Sequence, residues 1–536
     1  MKKEYAFPLA RAVRRAYRNG EDDETLRPLV LEDGSGTPVG RIAPGDSVIF
    51  YNIRGEREIE LTRSLTEPGF TAFSTGTDLQ LRFCTMIEYA RDLPVDVAFP
   101  PVEDLRDTLV EVLATHGVGV LKITEAEKAT HLGYFLNGKS HRLFPGERRI
   151  VIPTRKDVPL FDEAPEMSIG DVTGTVLAEI EKGKSPFIMV NFPNVDVVGH
   201  IENEAAVLKS VETVDRCAGQ VIRAARERNW IVIVTADHGT VEKWLYPDGT
   251  VDTGHTDSPV PFFVRHPQGP LAMRKRGTLI DVAPTVLHLL GLPAPSTMTG
   301  ETLMEGAVPA GARRKVLFLI LDGWGRRENP EGNLIARART PVMDELEATG
   351  GLSILEASGE AVGLPPGTVG NSEAGHLHIG SGRVVPSDRV LIGKSLEDGT
   401  FFQRPAFLRA CREAREREKA LHLMGIVSFF SSHGSMDYLH GLLDLAAREG
   451  PSRVFIHAML GRRGERPESG AEYTETIERR CLDKKLGKLV SVIGRFWSMD
   501  REENWDRIEK TYRMLVFGEG TRVRDGGPPG HDEPAP

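Results

Sequence analysis

Cysteine is scarce in this chain of 536 residues. Its four cysteines, Cys84, Cys217, Cys411 and Cys481, lie far apart, and none forms a Cys-X-X-Cys pair. This pattern excludes a disulfide-rich scaffold and a zinc ribbon. It predicts structural thiols in a reducing compartment, the cytoplasm.

Long apolar runs and an excess of positive charge are also missing. No stretch of about 20 apolar residues is present, which predicts no transmembrane helix. Residues 1–5 lack the apolar core of a signal peptide. The formal net charge is −10, so no global positive field attracts nucleic acid. We therefore expect neither a nucleic-acid partner nor a membrane partner, and at this length more than one globular domain.

The chain does contain three apolar runs that end in acidic or imidazole side chains. They are residues 185–192, 231–235 and 315–321, followed by Asp196 and His200, by Asp237 and His238, and by Asp322. Such runs predict buried strands of a parallel sheet, and ligands bind beyond the carboxyl ends of such strands. One Asp-His pair after a strand is more often a loop cap, but three such strand ends favour a divalent metal centre.

Two further motifs add candidates to the same edge of the predicted sheet. His255 lies close enough in sequence to Asp237 to fold back on it, although a histidine in a turn usually has no such role. Ser372 lies in the glycine-flanked segment 370–376 at a predicted helix start, where backbone N–H groups point toward its side chain. Near metal ions this serine predicts a nucleophile. Taken alone, it would be an ordinary helix N-cap.

Alternating strand and helix patterns between residues 93 and 300 predict βαβ units. Residues 105–116 are typical of a helix and residues 118–123 of a strand. Thr124 and Glu127 then have the spacing of a capping box, which predicts the start of another helix.

A second group of predicted strands is followed by basic side chains. The candidates are His433 after residues 421–427, Arg463 after 453–458, Arg495 and Arg501 after 489–493, and Arg54 and Arg57 after 46–52. Any one of these arginines, taken singly, would be a solvated loop residue. Together they predict a site for a multiply oxygenated anion.

These motifs resemble those of the cofactor-independent phosphoglycerate mutases, which belong to the alkaline phosphatase superfamily. The resemblance rests on residues 322–325 (DGWG), 370–376 (GNSEAGH), 235–239 (TADHG) and 254–256 (GHT). It covers nearly the whole chain but in a different order, because the family usually begins with the DGWG segment and ends with the TADHG and GHT segments. This order implies a circular permutation, which domains with neighbouring termini tolerate.

The resemblance implies an α/β fold with two domains. One is an alkaline-phosphatase-like metal domain built on a parallel sheet, spanning residues 93–385 with a linker at 301–314. The other is a smaller α/β transferase domain, which combines residues 1–90 with residues 390–523. Residues 524–536 would form a disordered tail.

The resemblance also implies a role for each candidate residue. One metal ion, usually manganese, would be held by Asp196, His200 and His255. A second would be held by Asp322, Ser372, Asp237 and His238. Ser372 would accept the phosphoryl group as a phosphoserine, and Lys128 would offset its charge. The substrate would be bound by Arg54, Arg57, His433, Arg463, Arg495 and Arg501.

The implied activity is that of a glycolytic isomerase, a monomer that interconverts 3-phosphoglycerate and 2-phosphoglycerate. Two departures from the family leave an alternative open. Gly464 replaces an aspartate expected to contact the glycerate hydroxyls, and residues 429–431 replace acidic and glycine positions. The alternative is a metal-dependent phosphatase or a phosphomutase for another small phosphorylated acid. A non-catalytic relative is a third hypothesis, which the presence of every implied metal ligand disfavours.

Overall fold

The structure is a computed structural model that describes residues 7–76, 78–101, 105–246, 248–306, 315–349, 351–429, 431–461, 466 and 468–525. The chain divides into two units, unit 1 with Met1–Pro101 and Leu391–Pro536, and unit 2 with Val102–Val390. Each unit contains an eight-stranded, mostly parallel sheet. The predicted α/β fold with two domains is confirmed.

The strands are, in chain order, β1 (Leu29–Glu32), β2 (Ser47–Phe50), β3 (Arg82–Ile87), β4 (Asp96–Phe99), β5 (Val120–Glu125), β6 (Arg148–Ile152), β7 (Phe187–Phe192), β8 (Ile231–Thr235), β9 (Val260–Arg265), β10 (Arg276–Thr278), β11 (Val316–Leu321), β12 (Leu352–Glu356), β13 (Leu421–Ile426), β14 (Val454–Leu460), β15 (Lys488–Gly494) and β16 (Thr521–Arg524).

The α-helices are α1 (Pro8–Arg18), α2 (Ile59–Thr66), α3 (Leu109–Thr115), α4 (Ile169–Lys182), α5 (Asn194–Gly199), α6 (Glu204–Glu227), α7 (Val282–Leu289), α8 (Leu334–Arg337), α9 (Pro341–Ala348), α10 (Ser372–Ser381), α11 (Asp388–Asp398), α12 (Pro405–Glu416), α13 (Met436–Glu449), α14 (Ser469–Lys484), α15 (Arg495–Ser498) and α16 (Trp505–Phe517). None of the described helices is long and apolar enough to cross a membrane. All four cysteines are buried and free, as predicted for structural thiols.

The sheet of unit 2 has the strand order β10-β12-β9-β8-β11-β7-β5-β6. Every residue of β7, β8 and β11 is buried, which explains why these strands appear in the sequence as uninterrupted apolar runs. Strand β11 lies between β7 and β8 and is parallel to both, with Ile320 paired to Asn191 and to Thr235. The three strands therefore end at the same edge. Strand β9 is antiparallel to β8 and to β12, so the sheet is mixed rather than wholly parallel.

A helical segment follows β5 as predicted, but it begins at Ala126 and the capping box at Thr124 is wrong. Strand β5 continues to Glu125 and pairs Thr124 with Val151, and the helical segment consists of a 3-10 turn at Ala126–Lys128 and a π-helical turn at His131–Phe135. The hydroxyl of Thr124 is directed to the side-chain oxygen of Asn191, 3.5 Å away, instead of to the backbone. Pairing with two neighbouring strands outweighs a local capping signal here.

The sheet of unit 1 has the order β16-β1-β15-β14-β13-β2-β3-β4. Strands from the first part of the chain lie on both sides of β13, β14 and β15, so both chain segments are needed to complete the sheet. Strand β1 is parallel to β16 and antiparallel to β15. Arg524 is the last residue of β16, one residue into the predicted tail. Residues 526–536, and residues 307–314 of the predicted linker, lie outside the described residues.

A buried chain of hydrogen bonds crosses the sheet of unit 1. Asp46 accepts a bond from His422 Nε2 at 3.2 Å, His422 Nδ1 is 2.9 Å from His457 Nε2, and His457 Nδ1 is 2.8 Å from Ser491 Oγ. A carboxylate only accepts, so His422 carries its proton on Nε2 and accepts at Nδ1. His457 then donates from Nε2, and Ser491 donates to His457. The carboxylate of Asp46 thus fixes which atom donates in each of these hydrogen bonds. We call the four residues Asp46, His422, His457 and Ser491 the relay.

We expect Asp46→Ala to lower the free energy of unfolding by about 3 to 5 kcal/mol. Asp46 is buried and accepts the N–H groups of Ala43 and Ala420 in addition to His422, and all three donors would lose their acceptor. Urea denaturation near neutral pH measures the change. Asp33→Ala is the matched control, because Asp33 accepts backbone N–H groups in an exposed turn and its loss should cost much less. Equal effects of the two changes would contradict a structural role for the relay.

The relay also predicts that acid destabilises unit 1. Burial lowers the pKa of His422 and of His457 below the ordinary value. Burial would raise the pKa of Asp46, but bonds from His422 and the backbone hold it below its ordinary value. Each group binds fewer protons in the folded than in the unfolded chain, so its contribution is present at neutral pH and is lost as the pH falls.

Candidate functional site

Three carboxylates meet at the edge of the unit 2 sheet where β7, β8 and β11 end. Asp196 is on α5 directly after β7, Asp237 follows β8 and Asp322 follows β11, and all three are buried. Lys128 reaches them from the turn after β5. Its ammonium nitrogen is 2.7 Å from Asp196 Oδ2, 2.7 Å from Asp322 Oδ1 and 2.6 Å from Ser372 Oγ. Predicted residues from five separate segments of the chain are thus brought together.

The three predicted imidazoles, of His200, His238 and His255, share one hydrogen-bonding arrangement. Each places Nδ1 against a backbone carbonyl oxygen, of Thr253 at 2.7 Å, of Gly239 at 3.1 Å and of Gly370 at 3.0 Å, respectively. A carbonyl only accepts, so each neutral ring carries its proton on Nδ1 and has a lone pair on Nε2. The three Nε2 atoms lie 3.4, 3.6 and 3.1 Å from Asp196 Oδ1, in the same order. In metal sites, a carbonyl oxygen that accepts the Nδ1 proton in this way orients the imidazole for ligation through Nε2.

The atoms that face the centre lack partners of their own. Among the described residues, no hydrogen bond reaches the buried atoms Asp196 Oδ1 and Asp237 Oδ2. His200 Nε2 and His255 Nε2 are only 3.1 Å apart, although both rings already donate from Nδ1. Buried carboxylate oxygens without donors are costly. A divalent cation between these oxygens and nitrogens would satisfy all of them, so the donor set fits a metal ion.

The side chains of the centre hold one another in charged states. Burial would lower the pKa of Lys128, but the carboxylates of Asp322 and Asp196 raise it above the ordinary value. Burial would raise the pKa of Asp196, but Lys128 and the neighbouring imidazoles of His200, His255 and His238 hold it well below the ordinary range. The pKa of His238, which burial alone would lower, is raised to about 10 by Asp237, Asp322 and Asp196. The three carboxylates of the centre outnumber its two cationic groups, Lys128 and His238, and such an excess of carboxylates attracts cations.

The described residues form three groups whose ligand atoms lie within 4.8 Å of one another: Asp196, His200 and His255; Asp196, His238 and Asp322; Asp237, Asp322 and His376. The first group has the composition predicted for one metal ion. Of the residues predicted for the second ion, Asp237, His238 and Asp322 lie in the other two groups, and Ser372 Oγ lies 3.3 Å from Asp322 Oδ1. His376 was not among the predicted site residues, although the 370–376 motif ends with it. Its position four residues after Ser372 places it on the same face of a helix, a signal that was available.

Ser372 is the first residue of helix α10 and is buried beside the carboxylates. Asn371, not Ser372, caps this helix, because its side chain accepts the N–H of Ala374 at 2.8 Å. The alternative interpretation of Ser372 as the N-cap is therefore wrong. Ser372 Oγ lies 3.0 Å from His238 Nε2 and 3.3 Å from Asp322 Oδ1. A hydroxyl at a helix N-terminus, beside an ammonium and candidate metal ligands, is placed for nucleophilic attack.

Arginines predicted to bind substrate cluster in unit 1. Arg54 Nη2 and Arg501 Nη1 lie 3.8 and 2.9 Å from the same Glu56 carboxylate. Arg57 donates to the carbonyl oxygen of Met499 at 3.2 Å. Its pKa is lowered by burial and then by the neighbouring charges of Arg501 and Arg495. These like charges lie close enough to act on one anion.

The buried carboxylate of Glu58 connects His433 to this arginine cluster. Its Nδ1 is 3.1 Å from Glu58 Oε1, and Glu58 also accepts the backbone N–H of Arg57 at 3.1 Å. Arg495 donates to Glu24 at 2.8 Å. Arg463 and Gly464 lie outside the described residues.

Two family models match separate regions of the chain. Residues 32–294 match the family model of the Metalloenzyme superfamily. Residues 392–527 match the model described as the BPG-independent PGAM N-terminus. The chain resembles the cofactor-independent phosphoglycerate mutases. The Metalloenzyme match includes Lys128 and the candidate ligands up to His255, and with the donor geometry it supports binding of divalent metal ions in unit 2.

Two curated relatives are similar to this chain and share one name. The 2,3-bisphosphoglycerate-independent phosphoglycerate mutase of Thermomicrobium roseum is 42% identical over 301 residues, which cover 55% of this chain and 57% of that protein. The mutase of the same name from Moorella thermoacetica is 40% identical over 294 residues, 55% of this chain and 56% of that protein. The chain thus spans about half the length of these relatives. A crystal structure of Leishmania mexicana phosphoglycerate mutase at low cobalt concentration is 29% identical, with a TM-score of 0.40, and covers 51% of this chain and 53% of that one.

Proposed function

We propose that the chain is a metal-dependent phosphoglycerate mutase that interconverts 3-phosphoglycerate and 2-phosphoglycerate through a phosphoserine on Ser372. The observation that carries this proposal is the setting of Ser372 Oγ, 2.6 Å from the ammonium of Lys128 and 3.0 Å from His238 Nε2. A hydroxyl so placed at a centre fitted for cations suits phosphoryl transfer. The names of relatives about 40% identical support the choice of substrate.

Two divalent ions, in our proposal Mn²⁺, would complete the centre. Asp196, His200 and His255 would hold the first, and Asp237, His238, Asp322 and Ser372 the second. When bound, the ions supply positive charge that favours the ionised form of a serine hydroxyl and offsets charge on phosphoryl oxygens.

The side chains of the centre have separate tasks in this proposal. Ser372 Oγ attacks phosphorus, so that a bond from Ser372 to phosphorus forms while the bond from phosphorus to the glycerate oxygen breaks, and the serine proton ends on that freed oxygen. The other glycerate hydroxyl then attacks phosphorus, the bond from phosphorus to Ser372 breaks, and the proton of that hydroxyl returns to Ser372. Lys128 keeps its proton because two carboxylates bind its ammonium group, so it acts as a fixed charge toward the phosphoryl oxygens and not as a base.

The arginine cluster of unit 1 would bind the glycerate. The carboxylate and hydroxyls of glycerate need several donors, which Arg54, Arg57, Arg495 and Arg501 supply, with His433 beside them. We include Arg463 in this set from the family resemblance. Unit 2 would then be the metal domain, and unit 1 the transferase domain of the predicted pair.

The order of the matched regions supports a circular permutation. The model described as an N-terminus matches residues 392–527, after the Metalloenzyme region at residues 32–294. Strands β1 and β16 come from opposite ends of the described chain yet are parallel neighbours in one sheet. Such neighbouring ends can be joined in one order and opened in another. Buried free thiols also support our proposal of a cytoplasmic enzyme.

The test is an assay of the full chain with 3-phosphoglycerate and Mn²⁺. Enolase detects 2-phosphoglycerate, and free phosphate is followed in parallel. We expect 2-phosphoglycerate to form with little phosphate release. Phosphate without the isomer would favour the alternative, a phosphatase or a mutase for another small phosphorylated acid. If a metal-loaded chain forms neither 2-phosphoglycerate nor free phosphate, the proposal is contradicted.

Two arginine variants test whether unit 1 binds the substrate. We expect Arg57→Ala to raise KM roughly 10-fold or more, because a charge-assisted contact to an anion contributes about 1.5 to 3 kcal/mol. Arg14→Ala is the control, since Arg14 in the same unit pairs with Glu475 and is not in the cluster. Equal KM values in both variants would contradict the assignment of the substrate site.

A further inference from the structure

Two buried polar residues connect the carboxylates of Asp322 and Asp237. Asn191 lies in β7 and His376 in α10, and neither side chain is exposed. The amide nitrogen of Asn191 is 2.7 Å from Asp322 Oδ2 and 3.1 Å from His376 Nε2. His376 Nδ1 is 2.9 Å from the carbonyl oxygen of Ser372 and 3.1 Å from Asp237 Oδ2. We call these two residues, Asn191 and His376, the bridge.

The direction of every hydrogen bond in the bridge follows from its partners. Asp322 can only accept, so Asn191 must turn its amide nitrogen toward it, and the hydroxyl of Thr124 faces the amide oxygen at 3.5 Å. The second amide hydrogen of Asn191 points to His376 Nε2, which therefore accepts. His376 then carries its proton on Nδ1. Both ring nitrogens are engaged, so His376 has no lone pair free for a metal ion.

In the carboxylates of Asp237 and Asp322, hydrogen bonds to one oxygen leave the other oxygen toward the centre. Asp237 Oδ1 accepts the backbone N–H groups of His238 and Gly323, at 3.1 and 3.2 Å. His376 approaches Asp237 Oδ2 from its Nδ1 side, and that oxygen has no hydrogen bond among the described residues. Asn191 likewise occupies Asp322 Oδ2, which leaves Asp322 Oδ1 toward the centre.

The position of the bridge is fixed by close backbone packing. A Cβ atom on Gly375 would lie 2.4 Å from the carbonyl oxygen of Asp237, so helix α10 is in direct contact with the backbone of that residue. His376 is the next residue and cannot move away from Asp237 without moving the helix. The spacing between the ring and the carboxylate is thus set by the fold.

We propose that Asn191 and His376 are positioning residues that orient Asp322 and Asp237 for the second metal ion. The inference rests on the proposed metal centre and extends it to residues that touch neither ion. Mutation of a residue that contacts and orients a metal ligand typically lowers metal affinity by roughly 10- to 100-fold. The first ion, with Asp196, His200 and His255, has no contact with the bridge in the bonds described above, so it should be unaffected.

The test is a Mn²⁺ titration of the metal-free full chain, followed by calorimetry and by electron paramagnetic resonance of the bound ions. In His376→Asn, the amide nitrogen takes about the place of Nδ1 and keeps an N–H group between the carbonyl oxygen of Ser372 and Asp237 Oδ2. In His376→Gln, the amide reaches about the place of Nε2, and that N–H group is lost. Asn191→Ala removes the other half of the bridge.

His378→Gln is the matched control. His378 is a buried histidine of the same helix, with Nδ1 2.7 Å from the carbonyl oxygen of Ala374 and Nε2 accepting the N–H of Val385 at 3.0 Å. Its bonds resemble those of His376, except that no carboxylate takes part in them. A loss caused only by disturbing a buried histidine of α10 should appear in both.

We expect the wild-type chain to bind two ions. In His376→Gln and Asn191→Ala the affinity for the second ion should fall roughly 10- to 100-fold, with the first ion unchanged. His376→Asn and His378→Gln should stay close to wild type. Thermal denaturation in chelator shows whether each variant is folded before metal is added.

Two results would overturn the proposal. One is wild-type affinity for both ions in folded His376→Gln and Asn191→Ala. The other is an equal loss of both ions, which would mean general damage and not positioning of two carboxylates. A wild-type chain that binds no ion would instead contradict the metal centre itself, so the two failures are distinguishable.

Discussion

Replacing Ser372 with alanine should lower kcat for 2-phosphoglycerate formation by about 10⁴-fold or more, because no other hydroxyl contacts the Lys128 ammonium among the described bonds. The change removes only an oxygen from a residue at the start of α10. Asn371 would still cap that helix, so the fold should persist. The coupled assay measures the rate, and circular dichroism checks the fold.

A second readout separates loss of the nucleophile from loss of binding. Wild-type protein quenched during turnover should carry a phosphoryl group on Ser372 in intact-mass and peptide analysis, and the alanine variant should carry none. Ser381→Ala is the control, since Ser381 is buried on the same helix but bonds to the carbonyl oxygen of Arg383. Full activity in Ser372→Ala, or a phosphoryl group on another residue, would contradict the proposed intermediate.

Removing divalent metal should both inactivate the chain and destabilise it. Without ions, three buried carboxylates outnumber the cationic groups beside them, Lys128 and His238, and no hydrogen bond from the described residues reaches Asp196 Oδ1 or Asp237 Oδ2. An ion that binds only the folded chain stabilises it by about 4 kcal/mol at 1,000 times its Kd. We therefore expect the melting temperature to rise with Mn²⁺ concentration and to fall in chelator.

Asp196→Asn tests whether the stabilisation comes from this centre. Asp196 is shared by two of the three ligand groups, so the variant should lose most of the response to Mn²⁺. Asp171→Asn, an exposed position at the start of α4, should keep it. Equal metal responses in the two variants, or a wild-type melting temperature that is the same with and without chelator, would contradict the metal centre.

The parts of the fold that were predictable depend on short stretches of chain. Strands β7, β8 and β11 are buried on both faces, so an uninterrupted apolar run marks each of them. The polar residues that follow each run could be placed at one sheet edge without knowledge of the strand order. That is why most of the metal centre could be proposed from the sequence.

The remaining features depend on partners distant in the sequence. In the sequence Asn191 is one more strand residue, and only its contacts with Asp322 and His376 in the fold give it a role. Thr124 has the local spacing of a helix cap, but pairing of β5 with β6 and β7 decides its structure. The antiparallel strand β9 is likewise set by its neighbours in the sheet. Local patterns carry no information about such pairings.

The division of unit 1 into two chain segments has a consequence for synthesis on the ribosome. Unit 2 is one continuous segment, and it can fold as soon as it has emerged. Strands β2, β3 and β4 are made early, but β2 pairs with β13 in the finished sheet. Strand β13 is made more than 300 residues later, so this part of the sheet cannot be completed before then. Until then β2 exposes an unpaired edge, a template for pairing with other chains. We therefore expect nascent or truncated chains that end within unit 2 to need chaperones more than the finished protein does.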